Sequence, residues 1–198
     1  EYLISPTALA ASLSAPDIVV IDATVFLERG PKGMAAASGR ARHAEAHIPG
    51  AVFLDLIEDA SDTTSGLGFT LPEPDALARA FRDVGVSNGS RVVFYSTGHM
   101  MWATRAWWLL YSLGHDRMAV LDGGFEGWKS MTFPVSNEPP AVTAGDFTPG
   151  DLRAVFADKA AVLAAIDEPT TTTVNALTEE MHSGTAGFDY GRPGHIAG

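Results

Sequence analysis

Val92–Leu110, VVFYSTGHMMWATRAWWLL, reads as an apolar strand, a short polar loop and then a helix. The strand is the run Val92 to Tyr95, the loop opens at Ser96, and the helix is expected from Thr104 to Leu113. A loop of this kind gathers backbone N–H groups at a helix start, where a reacting anion can sit. Moving outward, Ile18-Val19-Val20-Ile21 is continuously apolar and ends at Asp22, as for a parallel strand covered on both faces. Met118 to Leu121 is a second such run, and Asp122-Gly123-Gly124 turns the chain into a helix carrying Trp128. Leu77, Ala80, Phe81 and Val84 recur at helical spacing over Pro74 to Val84, and Ser5-Pro6 opens an Ala/Leu helix within Ile4 to Leu13. Strands alternating with helices over short connections predict an α/β domain: an open, largely parallel sheet with helices on both faces.

Between the first two strands lies GPKGMAAASGRARHAEAHIPGA, Gly30 to Ala51, read as a long loop before a short strand over Ala51 to Leu56. Val135 to Gly150 is dense in Pro, Gly, Ser and Thr and reads as a linker. After it, a helix over Ala160 to Ile166, a strand over Thr171 to Asn175 and a Gly-rich loop repeat the order of the start. The loops end in HIPG, His47 to Gly50, and HIAG, His195 to Gly198. This predicts a whole-domain duplication with three parts: a complete domain over 1–134, a linker over 135–150 and an incomplete second copy over 151–198.

Composition narrows the function classes. A net charge of −11 argues against a nucleic-acid surface, which needs clustered Lys and Arg. The absence of cysteine excludes disulfides, thiolate metal sites and a thiol nucleophile within these residues. No apolar run approaches the ~20 residues of a membrane span, and EYLISPTALA lacks the features of a secretory signal, so the expected location is the cytoplasm.

The ordered series VVIDA, RHAEAHIPGAVFLDL, VVFYS with ATRAWWLLYSLGH, VLDGGFEGW, and VNALTEEMHSGTAGFDYGRPGHIAG resembles the tandem rhodanese-type sulfurtransferases, the thiosulfate and 3-mercaptopyruvate sulfurtransferase group. The resemblance covers almost the whole chain. It implies a cysteine in the place of Ser96, whose thiolate, stabilised by loop N–H groups and the helix N-terminus, takes sulfur as a persulfide and passes it to an acceptor such as cyanide. It implies no metal and no organic cofactor. Partners would be a small-molecule sulfur donor and a thiophilic acceptor, with the second domain packed on the first and no nucleic acid or membrane involved. In tandem members the first domain usually lacks the cysteine, so Ser96 marks the inactive copy. The active loop is expected about 45 residues beyond Gly198 by repeat spacing.

Individual residues are read against this frame. Ser96 with His99 as base would make a serine hydrolase, but the G-x-S-x-G elbow is missing because Phe94 stands at its first glycine. His47 and His195 precede equivalent turns and are expected to bond backbone groups and fix the loops. The resemblance makes Asp22 a brace between loops, with Asn175 at the equivalent place. Trp107 and Trp108 are expected in the core. Met101 and Trp102 are expected, from the resemblance, to face the second domain's active site as an apolar wall that would desolvate a persulfide. Lys32, Arg40, Arg42 and Arg192 are the cations of the two Gly-rich loops, and Arg192, in the copy expected to be active, is the candidate for an anionic donor. Many members carry an arginine for the donor in the segment matching Leu177 to His182, where this chain has Leu177 and Met181. The competing reading is a cysteine-free rhodanese-like binding or regulatory module.

Overall fold

The computed structural model describes residues 2–30, 33–186 and 194–196. Its strands are β1 (Leu3–Ile4), β2 (Ile18–Asp22), β3 (Val25–Gly30), β4 (Gly33–Ser38), β5 (Val52–Phe53), β6 (Arg91–Tyr95) and β7 (Met118–Leu121). Its helices are α1 (Pro6–Ser12), α2 (Arg40–Glu45), α3 (Pro74–Asp83), α4 (Met101–Ser112), α5 (Gly124–Ser130), α6 (Lys159–Ala165) and α7 (Glu179–Ser183). Two compact units are present: Glu1–Phe26 with Ala36–Arg153, and Leu27–Ala35 with Ala154–Gly198.

The first unit is built on a five-stranded sheet in the order β1-β7-β6-β2-β5, and every pairing in it is parallel. The register runs from Ile18 opposite Arg91 to Asp22 opposite Tyr95, and from Val92 opposite Met118 to Phe94 opposite Val120. Alternation along each strand divides the core. Val20, Val93, Tyr95 and Leu121 pack with Leu9 of α1 and with Phe125 and Trp128 of α5. Phe94 points the other way and meets Phe81 of α3 edge-on at 6.3 Å. Helices therefore cover both faces, and the apolar strands follow from double burial.

In the first unit the elements read from periodicity lie within three residues of their expected bounds, and four features of the chain differ from that reading. β1 is an edge strand one residue before the Ser5 cap, whose hydroxyl accepts from the Ala8 N–H at 3.2 Å. Two residues are too short for a periodic signal. The stretch read as a long loop instead holds the two-stranded β3–β4 sheet and helix α2. Its Gly- and Ala-rich composition hides both, since Ala carries no polar or apolar contrast from which to read a period. Conversely, Thr171 to Asn175, expected as a strand, is exposed and in no described strand, because its backbone groups meet no neighbouring strand among the described residues. The helix over Ala160 to Ile166 does form, capped by Asp158, which accepts from the Ala161 N–H at 2.8 Å.

The fourth feature is the segment read as a linker. Its first part bonds to the first unit where Ser136 and His47 exchange backbone hydrogen bonds of 2.8 and 2.9 Å. Farther on, the Gly145 N–H donates to the Arg82 carbonyl, the Phe147 N–H to Val86, the Gly150 N–H to Leu113 and the Arg153 N–H to Ser112. Arg82 returns a side-chain bond of 2.9 Å to the Phe147 carbonyl. Arg153 covers the C-terminal end of α4, donating to the carbonyls of Tyr111 and His115, pairing with Asp116 at 2.9 Å and lying 4.1 Å from the Tyr111 ring centre. A cation is well placed at that end of a helix.

Phe147 is buried and meets the edge of His115. Burial holds the His115 imidazole below its ordinary titration range, partly opposed by the Ser90 carbonyl, to which its Nε2–H donates at 2.9 Å. The unfolded chain therefore binds a proton there first as pH falls below about 6.5, so stability declines from that pH downward until the folded form also protonates. Comparing urea midpoints at pH 7.5 and 5.5 should show a loss that is smaller in His115→Gln.

Candidate functional site

The parallel strands place Asp22, Ser96 and Asp122 together past their C-terminal ends, where open α/β sheets hold ligands. Ser96 follows β6 directly. Its side chain is 2% exposed, and its hydroxyl donates to the His99 carbonyl at 3.0 Å. The Ser96 carbonyl accepts from the Phe125 N–H at the start of α5, where a Cβ on Gly124 would come within 2.7 Å of it. Gly124 also has a φ of +56°, so glycine is required there on both counts.

Three of the loop's N–H groups are engaged by the chain's own side chains. Thr97 donates to Thr24 Oγ1 at 2.8 Å, Gly98 to the Glu126 carboxylate at 3.2 Å, and Met101 to His99 Nδ1 at 3.2 Å. His99 thus spends Nδ1 on a backbone amide, while Ser96 spends its hydroxyl on a carbonyl. The pair does not form a nucleophile and base, which removes the geometric support for a serine hydrolase. Glu126, half-exposed on α5, puts a carboxylate where a loop amide could meet an anionic substrate.

Beneath the loop lies a buried polar network. Asp22 accepts from the Thr24 N–H at 3.0 Å and from the Thr24 hydroxyl through Oδ1, and from His43 Nδ1–H at 3.1 Å through Oδ2. His43 and His47 stack at 4.2 Å with their planes 12° apart, and His47 Nδ1–H donates to the His43 carbonyl at 2.7 Å. All four of Asp22, Thr24, His43 and His47 are buried. Tyr95 lies beside them, its phenol pushed well above its usual range by burial and by the Asp22 charge, so it stays un-ionised. The network ties the end of β2, the loop after β6, α2 and the Ser136 segment together. Its role is bracing, as expected for Asp22 and His47. The partner the sequence reading missed is His43. The signal was present, since His43 and His47 stand four apart as on one helix face, but α2 had been read as loop.

An arrangement of similar residues occurs in the other unit, where Asn175, His182 and His195 are exposed rather than buried. Asn175 Oδ1 accepts from the Leu177 N–H at 2.9 Å, two residues on, as Asp22 does from Thr24. Asn175 Nδ2 lies 3.3 Å from His182 Nδ1. His182 and His195 stack at 3.9 Å and 15°, and His195 Nδ1–H donates to the His182 carbonyl at 2.8 Å. The spacings differ: Asp22 and His43 are 21 residues apart and Asn175 and His182 only seven, whereas His182 and His195 are 13 apart against four in the first unit.

The other candidates are placed as follows. Trp102 is buried and packs on Phe69, ring centres 5.0 Å apart, while Met101 is half-buried and Met100 50% exposed. Trp107 is buried, but Trp108 is 45% exposed rather than in the core, because it falls on the outer side of α4. Arg40 pairs with Asp59 at 3.5 Å and Arg42 with Glu45 at 3.7 Å, so these two cations already have acidic partners. Lys32 and Arg192 lie outside the described residues. Among the described residues no cluster of His, Asp or Glu has the arrangement of a metal site, and no helix is long and apolar enough to cross a membrane.

Comparison with known proteins places this geometry in context. A model of the rhodanese-like domain matches residues 5–131. The chain is 33% identical over 99% of its length to a probable 3-mercaptopyruvate sulfurtransferase of Pseudomonas aeruginosa, covering 68% of that protein. It is 31% identical over 96% of its length to the 3-mercaptopyruvate sulfurtransferase of Escherichia coli, covering 66% of it. A thiosulfate sulfurtransferase of Cricetulus griseus is 34% identical over 69% of this chain, which covers 46% of that protein. In structure, the E. coli 3-mercaptopyruvate sulfurtransferase SseA superposes with a TM-score of 0.82 at 28% identity, over all of this chain and 72% of SseA. The chain thus spans about two thirds of the length of the 3-mercaptopyruvate sulfurtransferases it matches.

Proposed function

This chain belongs to the rhodanese-like sulfurtransferase family, and from that premise we propose that the protein moves sulfane sulfur from 3-mercaptopyruvate or thiosulfate to a thiophilic acceptor such as cyanide, through a cysteine persulfide. The observation that carries this reading is likeness over nearly the whole chain to 3-mercaptopyruvate sulfurtransferases, in a sequence of 198 residues without a cysteine. In this reading the cysteine lies beyond Gly198, in a second rhodanese-like domain that begins within this chain, and Ser96 holds the nucleophile's place in a first domain that does no chemistry. The buried, bonded hydroxyl of Ser96 and the Glu126 carboxylate on the Gly98 amide support that assignment, since a sulfur-accepting loop needs an accessible thiolate and free donors. The repeated bracing arrangement at Asn175, His182 and His195 supports a duplication.

Within the reaction, the thiolate would attack the outer sulfur of thiosulfate, breaking its S–S bond and releasing sulfite, or the sulfur of 3-mercaptopyruvate, breaking its C–S bond and releasing the pyruvate enolate, which takes up a proton; the acceptor would then attack the outer persulfide sulfur and release the cysteine thiolate. Met101, with its exposed neighbour Met100, is the candidate apolar wall shielding that persulfide, and Trp102 would hold the wall in place from its buried seat on Phe69. Arg192 is the candidate for the donor's anionic group, in a segment where Leu177 and Met181 offer no charge. The partners are the small-molecule donor and acceptor, the place of work is the cytoplasm, and neither metal nor organic cofactor takes part.

A binding or regulatory module is the second reading, favoured by the missing cysteine and the internally occupied Ser96 loop. Substitution at Ser96 separates these ideas in the full-length protein. Ser96→Ala should leave sulfurtransfer within about twofold of the parent, there being no transition-state contact to lose. Ser96→Cys should add a buried thiol that labels slowly and takes no sulfur from thiosulfate. Loss of transfer in Ser96→Ala would return catalysis to the first domain.

A further inference from the structure

The two bracing arrangements differ at one atom, and the difference fixes where a proton sits. In the second, the Leu177 N–H donates to Asn175 Oδ1, so the carboxamide must turn its NH2 toward His182. His182 Nδ1 is then an acceptor, and the neutral ring carries its proton on Nε2. His195 holds the opposite form, because its Nδ1–H donates to the His182 carbonyl. In the first arrangement, the Asp22 carboxylate accepts from His43 Nδ1–H and His47 Nδ1–H donates to the His43 carbonyl. Three of these four rings are thus protonated at Nδ1 and His182 alone is bare there.

We infer that Asn175 in place of an aspartate makes the second brace proton-sensitive: it closes only while His182 is unprotonated at Nδ1, whereas the Asp22 brace holds with His43 neutral or charged. A proton on His182 Nδ1 would face the Asn175 NH2, two donors 3.3 Å apart. Turning the amide over gives no escape, since the NH2 would then face the Leu177 N–H at 2.9 Å. In the first arrangement the same proton meets a carboxylate, and the bond strengthens. Among the described residues, the titratable groups around His182 are His195, stacked face to face, and Glu179 and Glu180 on its own helix. None of the described hydrogen bonds joins these groups to His182 Nδ1, so the donor clash with the Asn175 NH2 stands. What the proton releases is the bond between Asn175 and His182; the bond from His195 to the His182 carbonyl does not depend on it.

The test is long-range proton–nitrogen NMR of histidine side chains in the full-length protein, with the His182 signals assigned through His182→Gln. At pH 8 His182 should show the Nε2–H form, with His43, His47 and His195 in the Nδ1–H form. In Asn175→Asp, His182 should switch to Nδ1–H and bind its second proton at least tenfold more tightly than in the parent. An Nδ1–H form of His182 at pH 8, or an unchanged midpoint in Asn175→Asp, would overturn the inference. The readout is independent of sulfurtransfer, so it succeeds or fails separately from the proposed activity.

Discussion

Asp22→Ala should destabilise the first unit by about 3 kcal/mol, because it orphans the buried His43 Nδ1–H, the Thr24 amide and the Thr24 hydroxyl together. The damage should spread beyond the end of β2. Thr24 Oγ1 also receives the Thr97 N–H, so the loop after β6 loses a partner whose position the carboxylate fixed. Urea unfolding read by tryptophan fluorescence measures this directly, since Trp102, Trp107, Trp108 and Trp128 all lie in the first unit. Asp22→Asn keeps an acceptor for Thr24 and should cost about 1 kcal/mol, the scale of one net hydrogen bond. It should also make the first brace acid-sensitive. A cost below about 0.5 kcal/mol for the alanine variant would mean that water replaces the carboxylate and that the network is incidental.

Gly145→Ala should cost about 3 kcal/mol, because the segment after α5 cannot keep its course with a side chain at that position. A Cβ there would lie 2.0 Å from the Val86 carbonyl oxygen and 2.4 Å from its carbon, both backbone atoms that cannot turn aside. Relief requires the strap to lift, which gives up the Gly145–Arg82 and Phe147–Val86 hydrogen bonds and uncovers Phe147. Gly89→Ala is the control. Its Cβ would meet nothing within 4 Å, and its effect should stay under about 0.5 kcal/mol. Equal midpoints for the two variants in thermal unfolding would show that the strap contributes nothing to the first unit's stability.

Much of the fold was legible because a doubly covered parallel sheet writes itself as unbroken apolar runs. Ile18 to Asp22, Arg91 to Tyr95 and Met118 to Leu121 are short, apolar and punctuated by Asp or Gly, and the amphipathic α3 between Pro74 and Gly85 is as plain. What escaped lies where the sequence carries no contrast. Four of the six residues from Gly33 to Ser38 are Gly or Ala, and Leu3–Ile4 is too brief to show a period. The strap at Gly145 to Arg153 escaped for another reason: its turn-forming composition is that of a linker, and only the close passage of backbone past Val86 and Gly114 reveals that it is held.

The site divides in the same way. Asp22, Ser96 and His47 were found from their places at strand ends and before a turn, features of local sequence. His43 and Glu126 were missed because their importance comes from what they reach, the Asp22 carboxylate and the Gly98 amide, and those contacts join segments 21 and 28 residues apart. The family resemblance supplied what neither periodicity nor charge could, the expectation that the serine after the central strand stands in the place of a cysteine.

We propose that the protein is a cysteine-persulfide sulfurtransferase whose first domain is a non-catalytic support. The most direct measurement is thiocyanate formation by the full-length protein from 3-mercaptopyruvate or thiosulfate with cyanide, before and after thiol alkylation and in the Ser96→Ala variant. Transfer with at least one donor, its loss on alkylation and its survival in Ser96→Ala are the expected results. No transfer from either donor by the folded, full-length protein would contradict it and leave a rhodanese-like binding module.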